Sequence, residues 1–179
     1  MNSRPGAFVF TRRIFFTALF TLFASAAPIP VRAADATGKF LKSEQLGSLK
    51  LGMGEKDVLK LLGQPKKKGG LNLQEADGMW VQEWEYPAEG LSILMSAGKK
   101  AGAKSIASIK AGAPCTLATK AGIKIGSAAA AVAKAYAHHL DKENPPTARH
   151  LVVGTIYGGI LFDFEKGKVT SIFIGAAAE

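Results

Sequence analysis

LKLGMGEKDVLKLLGQP, residues Leu49 to Pro65, and IKIGSAAAAVAKAYAHH, residues Ile123 to His139, carry one pattern twice. Shifted by 74 positions, Leu49, Lys50, Leu51, Gly52, Val58 and Lys60 fall on Ile123, Lys124, Ile125, Gly126, Val132 and Lys134. Beyond the shared glycine, apolar residues recur at i, i+3 and i+4. That spacing places Val58, Leu61 and Leu62 on one face of a short helix, and likewise Val132, Ala135 and Tyr136. In the first copy Gly54 reads as the N-cap, Glu55 and Asp57 suit the positive end of the helix, and Gly63 followed by Pro65 closes it. In the second copy Ser127 is the expected cap, and Ala128 to His139 has high helix propensity with little to bury.

Both copies then turn to period-two patterns. MWVQEWEY (Met79 to Tyr86), GLSILMS (Gly90 to Ser96) and SIASIKAG (Ser105 to Gly112) alternate like antiparallel strands. LVVGTIY (Leu151 to Tyr157), GILFDFE (Gly159 to Glu165) and VTSIFIG (Val169 to Gly175) do the same, with Gly158-Gly159 and Lys166-Gly167 as tight turns. Tyr86 aligns with Tyr157, Leu91 with Ile160, Ile93 with Phe162, and Ser108-Ile109 with Ser171-Ile172. A unit of about sixty residues buries too little alone, so the two should share a core. The expected class is α+β: two tandem helix-plus-three-stranded-antiparallel-meander units, at 37–112 and 116–179, sharing a joined sheet with helices on one face.

The first 33 residues read as an export signal. Arg4, Arg12 and Arg13 precede the apolar run IFFTALFTLF, and small residues at Val31-Arg32-Ala33 suit a signal peptidase. TRRIFFT, Thr11 to Thr17, has the form of a twin-arginine signal, and the apolar run equally suits general secretion. Pro28 and Pro30 disfavour an uncleaved anchor helix. Removing Arg4, Arg12, Arg13 and Arg32 leaves 19 Lys and Arg against 14 Asp and Glu, a net charge of +5 instead of +9. The remaining lysines are spread out, apart from Lys66, Lys67 and Lys68, and lack the arginines and interleaved aromatics of a nucleic-acid surface. At most they give weak membrane-surface contact through that triplet. The expected location is therefore periplasmic or secreted. With no cysteine next to the cleavage site, the chain is not expected to be a lipoprotein.

Chemistry-bearing constellations are sparse. Cys115 is the one cysteine and reads as a small buried residue, an intermolecular disulfide partner or a reactive thiol. His138 and His139 point about 100° apart on a helix, and with Asp141 and His150 they lack i, i+4 metal spacing. GKKAGAKS, Gly98 to Ser105, has Ala103 where a phosphate loop needs its second glycine and joins two strands. No Gly-x-Ser-x-Gly elbow is present, so no catalytic residue, metal or cofactor is expected. Trp80, Trp84 and Tyr86 alternate with Glu83 and Glu85, and two readings stay open. The aromatics are either core or an exposed platform of the residue types enriched at binding hot spots. On the second reading the candidate partner-binding residues are Trp80, Trp84, Tyr86 and Tyr157. The stretch KKKGGLNLQEADG, Lys66 to Gly78, reads as a long contact loop or a flexible one.

Leu49 to Val58, followed by Leu61-Leu62-Gly63-Gln64-Pro65, resembles the motif of the SmpA/OmlA (BamE-like) module: Gly-Met-Thr/Ser, three residues, Val, then Leu-Gly-x-Pro. Gly54 stands where that pattern has a hydroxyl residue. The tandem arrangement is similar to that of β-lactamase inhibitor-like proteins. The resemblance implies a non-catalytic module that binds a periplasmic or outer-membrane protein, as an assembly accessory or an inhibitor. A periplasmic small-molecule or lipid carrier, with a cavity between helices and sheet lined by Phe162, Phe164 and Ile172, is the alternative expectation.

Overall fold

In LSILMSA, Leu91 to Ala97, every second side chain is buried while Ser92, Leu94 and Ser96 are half-exposed, the pattern of a strand with one covered face. The same alternation runs through the computed structural model, which describes residues 40–177. The export signal read at 1–33, residues 34–39 and residues 178–179 lie outside the described residues. The chain forms α1 (Glu55–Leu62), β1 (Lys67–Lys68), β2 (Asn72–Gln74), β3 (Met79–Tyr86), β4 (Leu91–Ala97) and β5 (Ser105–Gly112). Then follow α2 (Ala129–Ala135), a 3-10 turn (Ala137–His139), β6 (His150–Thr155), β7 (Gly158–Glu165) and β8 (Lys168–Gly175). Among the described residues no helix is long and apolar enough to cross a membrane.

All eight strands join one antiparallel sheet, in the order β1-β3-β4-β5-β8-β7-β6, with β2 also paired to β3. The seam is β5 on β8, with Ile109 opposite Ile174 and Ala111 opposite Ile172. Register carries two buried rows across six strands. One runs Trp84, Ile93, Ile109, Ile174, Ile160, Val153; the other runs Tyr86, Leu91, Ala111, Ile172, Phe162, Leu151. Each large side chain sealed in these rows contributes roughly 1.5–3 kcal/mol, and the rows cross the seam without a break, so the two halves share one core.

The halves also use matching backbone bonds. Gly52 N–H donates to Ile106 O at 2.8 Å, and Gly126 N–H to Val169 O at 2.8 Å. Ile106 N–H returns to Met53 O and Val169 N–H to Ser127 O, each at 2.9 Å. Register shifts fall at Leu94/Met95 and at Asp163/Phe164, positions 69 apart, as are the paired Ile93 and Phe162.

Several expectations are corrected. The α+β class, two helix-plus-three-strand units with helices on one face, gives way to a predominantly β architecture. Among the described residues, one eight-stranded antiparallel sheet carries α1 and α2, helices of only eight and seven residues. The extra strands come from Lys66 to Gly78, which the lysine and glycine content makes read as a loop. Here Lys66 N–H and Gly69 N–H bond Glu85 O and Glu83 O along the β3 edge. Leu61, expected on the buried face of α1, is 48% exposed, because Val58 is the residue that α1 buries fully. The cap of α2 is Ala128; the Ser127 hydroxyl accepts Lys124 N–H at 3.0 Å and closes the preceding turn instead. Register pairs Tyr86 with Leu91 and Val153 with Ile160, so the counterpart of Tyr86 is Val153, and Tyr157 stands in the β6–β7 turn.

Candidate binding surface

Placement on β3 decides the aromatic candidates. Trp84 is fully buried and Tyr86 nearly so, because both point into the core rows. Trp84 Nε1 donates to Gln82 Oε1 at 3.1 Å, and Lys68 Nζ lies 4.3 Å from the centre of its ring. Tyr86 donates to Gly63 O at 3.2 Å, fixing the end of α1, and burial raises its hydroxyl pKa with a smaller push from Glu89. Trp80 is half-buried under Lys100, whose Nζ is 5.2 Å from the ring centre. Tyr157 is 66% exposed. The four residues therefore do not form a common platform: two are core, one is shielded by a lysine, and one sits on a turn in the other half.

The face opposite the core is a different surface. Between the two buried rows, register sets Glu85, Ser92, Lys110, Phe173, Leu161 and Val152 side by side across six strands, a span of roughly 24 Å at the usual strand spacing. Apart from Val152, these residues are half- or fully exposed. The row changes character at the seam. Its second-half side is apolar, Phe173, Leu161 and Val152, while its first-half side is charged and hydroxylated. There Ser92 Oγ donates to Glu83 Oε1 at 2.6 Å, and Lys67 Nζ donates to Glu85 Oε1 at 2.8 Å. The bond to Glu85 and its charge raise the Lys67 pKa. At the apolar end, the loop after Asp141 walls a groove of about 360 Å3 floored by Val152, Ile156 and Leu161. Asp141 holds that loop, accepting Glu143 N–H and Asn144 Nδ2, each at 2.8 Å. His150 Nδ1 meets Asp163 Oδ1 at 2.6 Å beside the groove. The sequence signal for this face is the set of positions between the buried ones on each strand, and it becomes readable only once the β5–β8 pairing brings two meanders together.

The other chemical candidates are placed as structure. His139 stacks on Phe40 with ring centres 4.4 Å apart, and His138 shares its 3-10 turn. Cys115 is buried, and burial raises its thiol pKa against a smaller opposing effect from the Leu117 backbone. Gly98 to Ser105 turns between β4 and β5. Among the described residues no group of three His, Cys, Asp or Glu side chains is placed to hold a metal ion.

Glu44 precedes the repeated motif and carries no local sequence signal. It is 3% exposed, and its Oε1 accepts Gln45 N–H at 3.0 Å and Lys120 N–H at 2.8 Å. Its Oε2 lies 3.3 Å from the Tyr136 hydroxyl, which donates to Thr119 Oγ1 at 2.7 Å. Burial holds that hydroxyl well above the usual tyrosine range, and the Glu44 carboxylate adds to the shift. With Leu46 bridged to Thr119, this knot ties the start of the first half to the start of the second, beneath the sheet and away from the open row. No family model, curated protein or solved structure matches the chain.

Proposed function

We propose that this is an exported, periplasmic, non-catalytic protein-interaction module that binds an envelope protein through the open sheet face. The observation that carries the reading is the row from Glu85 to Leu161: a five-strand surface, charged or hydroxylated at Glu85, Ser92 and Lys110 and apolar at Phe173 and Leu161, with its opposite side sealed by the core. Interfaces of stable complexes have an apolar centre with a polar margin, and Phe173 and Leu161 next to Lys110 and Ser92 supply both. We place the module among SmpA/OmlA (BamE-like) proteins on the motif from Leu49 to Pro65.

The carrier reading has less behind it. Phe162 and Ile172 are fully buried in the shared core, and Phe164 edges a groove beside Arg149, Glu165 and Lys166, a charged rim and not an apolar one. The test begins with capture of an envelope protein on the immobilised chain, followed by binding of the purified pair. Combining Leu161→Asp with Phe173→Asp is expected to weaken binding at least about tenfold, whereas Lys56→Glu on α1 leaves it unchanged. Equal binding by all variants, with circular dichroism unchanged, would overturn the assignment to this face.

A further inference from the structure

The groove at the apolar end of the open face joins a fixed wall to an apolar floor. Val152, Ile156 and Leu161 continue the apolar half of the row, since Leu161 lies opposite both Val152 and Phe173. Glu143, Asn144, Pro145 and Thr147 form the wall, and His150 completes the lining. Backbone bonds tie the two together: Asp141 N–H donates to Val152 O at 3.0 Å and Thr147 N–H to His150 O at 2.8 Å.

The charge of this lining has one sign. Glu143 is its single Asp, Glu, Lys or Arg, it is exposed, and no Lys or Arg nitrogen lies within 4.0 Å of its carboxylate among the described residues. The His150–Asp163 pair adds no net positive charge: the two cancel when the imidazole is protonated and leave one negative charge when it is neutral. Lys142 and Arg149 are close in sequence but line no part of the groove, and Arg149 lines another, with Phe164 and Lys166. The first half closes its own flank differently. Lys66 N–H bonds Glu85 O as Asp141 N–H bonds Val152 O, and the next residue, Lys67, reaches Glu85 Oε1 at 2.8 Å over the open face. A lysine of the chain thus meets the carboxylate on one flank of the face, and none meets Glu143 on the other.

We propose that this groove takes an arginine side chain of the protein that binds the open face, with the guanidinium at Glu143 and the methylene stem along Val152, Ile156 and Leu161. The proposal rests on the open-face reading and names the residue type that the face selects. An unpaired carboxylate beside an apolar floor complements a cation carried on an apolar stem. Arginine fits better than lysine, because its planar fork presents two parallel N–H donors to one carboxylate and its charge is more weakly hydrated. The partner therefore sets an arginine at one end of the apolar patch that covers Leu161 and Phe173, and an Asp or Glu at that place is rejected by Glu143.

The test is an NMR titration of the 15N-labelled full chain with the capped peptide Leu-Arg-Leu, and with the same peptide carrying citrulline, which keeps the shape of arginine without its charge. Amide shifts are expected at Glu143, Asn144, Thr147, Val152 and Ile156, with a Kd on the order of 1 mM for the arginine peptide and about threefold weaker for the citrulline peptide. Glu143 holds its loop through its backbone N–H and not its side chain. Glu143→Gln should therefore keep the native spectrum, bring the arginine peptide to the citrulline level and leave the citrulline peptide unchanged. Silence at these amides up to about 10 mM peptide, an equal response to both peptides, or an unchanged Kd in Glu143→Gln would overturn the proposal. Shifts centred on Glu83 and Glu85 would overturn it too, by placing the cation on the other flank. The open-face reading fails by a separate result, undiminished binding of the envelope protein when Leu161→Asp and Phe173→Asp are combined.

Discussion

Gly52 and Gly126 make the same turn, at φ of 78° and 86°, and each precedes an N-cap in extended conformation, Gly54 and Ala128. The helices that follow are unlike. α1 carries Leu61 and Leu62, and its end faces an open groove; α2 carries Ala135 and Tyr136, and its end is covered by Phe40 and tied to Glu44. The difference separates two kinds of constraint. Backbone bonds and the glycines that permit them fix where a helix meets the sheet, so they recur, whereas side chains follow whatever covers the helix. Alanine in the second copy goes with a helix whose one fully buried side chain is Val132 and whose anchorage comes from the Tyr136 hydroxyl.

This comparison can be broken or sharpened by substitution, beginning with the largest effect. Trp84 fills the position that Leu151 fills in the second half, both buried. Trp84→Ala is expected to cost about 3–5 kcal/mol in urea unfolding, and Trp80→Ala less than half of that; equal losses would place Trp80 in the core as well. Gly90 and Gly159 hold corresponding sites. A Cβ on Gly90 would stand 2.3 Å from Gly112 O, and one on Gly159 would stand 2.3 Å from Val153 O. Gly90→Ala and Gly159→Ala should each destabilise by roughly 3 kcal/mol or more, and a mild effect at only one would break the correspondence.

Tyr136→Phe removes the hydroxyl that donates to Thr119 Oγ1 and lies 3.3 Å from Glu44 Oε2, and is expected to cost about 1–2 kcal/mol near neutral pH. It should also change the alkaline limb. Because the folded hydroxyl pKa lies above the unfolded value near 10, its contribution is complete below about pH 10 and is lost as pH rises beyond it. The variant should show a shallower decline there in thermal melts. Gly52→Ala and Gly126→Ala place a side chain at positive φ with nothing within 4 Å, so each should cost about 1–2 kcal/mol, alike in both halves. Leu61→Ser should cost about 1 kcal/mol or less, since about half of Leu61 is already in water.

Much of the sheet could be read from the chain because alternation with one covered face leaves a period-two record. The spans expected for the six long strands end within two residues of the observed ones, and Gly54 and Gly63 bound α1 as expected. What could not be read has physical causes. Lys67-Lys68 and Asn72 to Gln74 are strands by edge pairing, which needs no apolar side chains, so composition conceals them. The i, i+3, i+4 rule named Leu61 as buried, yet such a short helix has few positions in reach of the core. Tyr86 and Tyr157 look equivalent in sequence because alternation does not record how far a hairpin extends, and β6–β7 continues its pairing to Thr155 and Gly158. The open face was hidden for a further reason: its row is contiguous only across the β5–β8 seam, where Lys110 pairs with Phe173, far along the chain.

The central claim, that the open sheet face receives an envelope protein, is tested most directly by photo-crosslinking in living cells with benzoylphenylalanine at position 161 or 173 on the face, and at position 56 on α1. One partner protein should be trapped from positions 161 and 173 and not from 56. Adducts from 56 alone, or none from the face, would contradict the assignment.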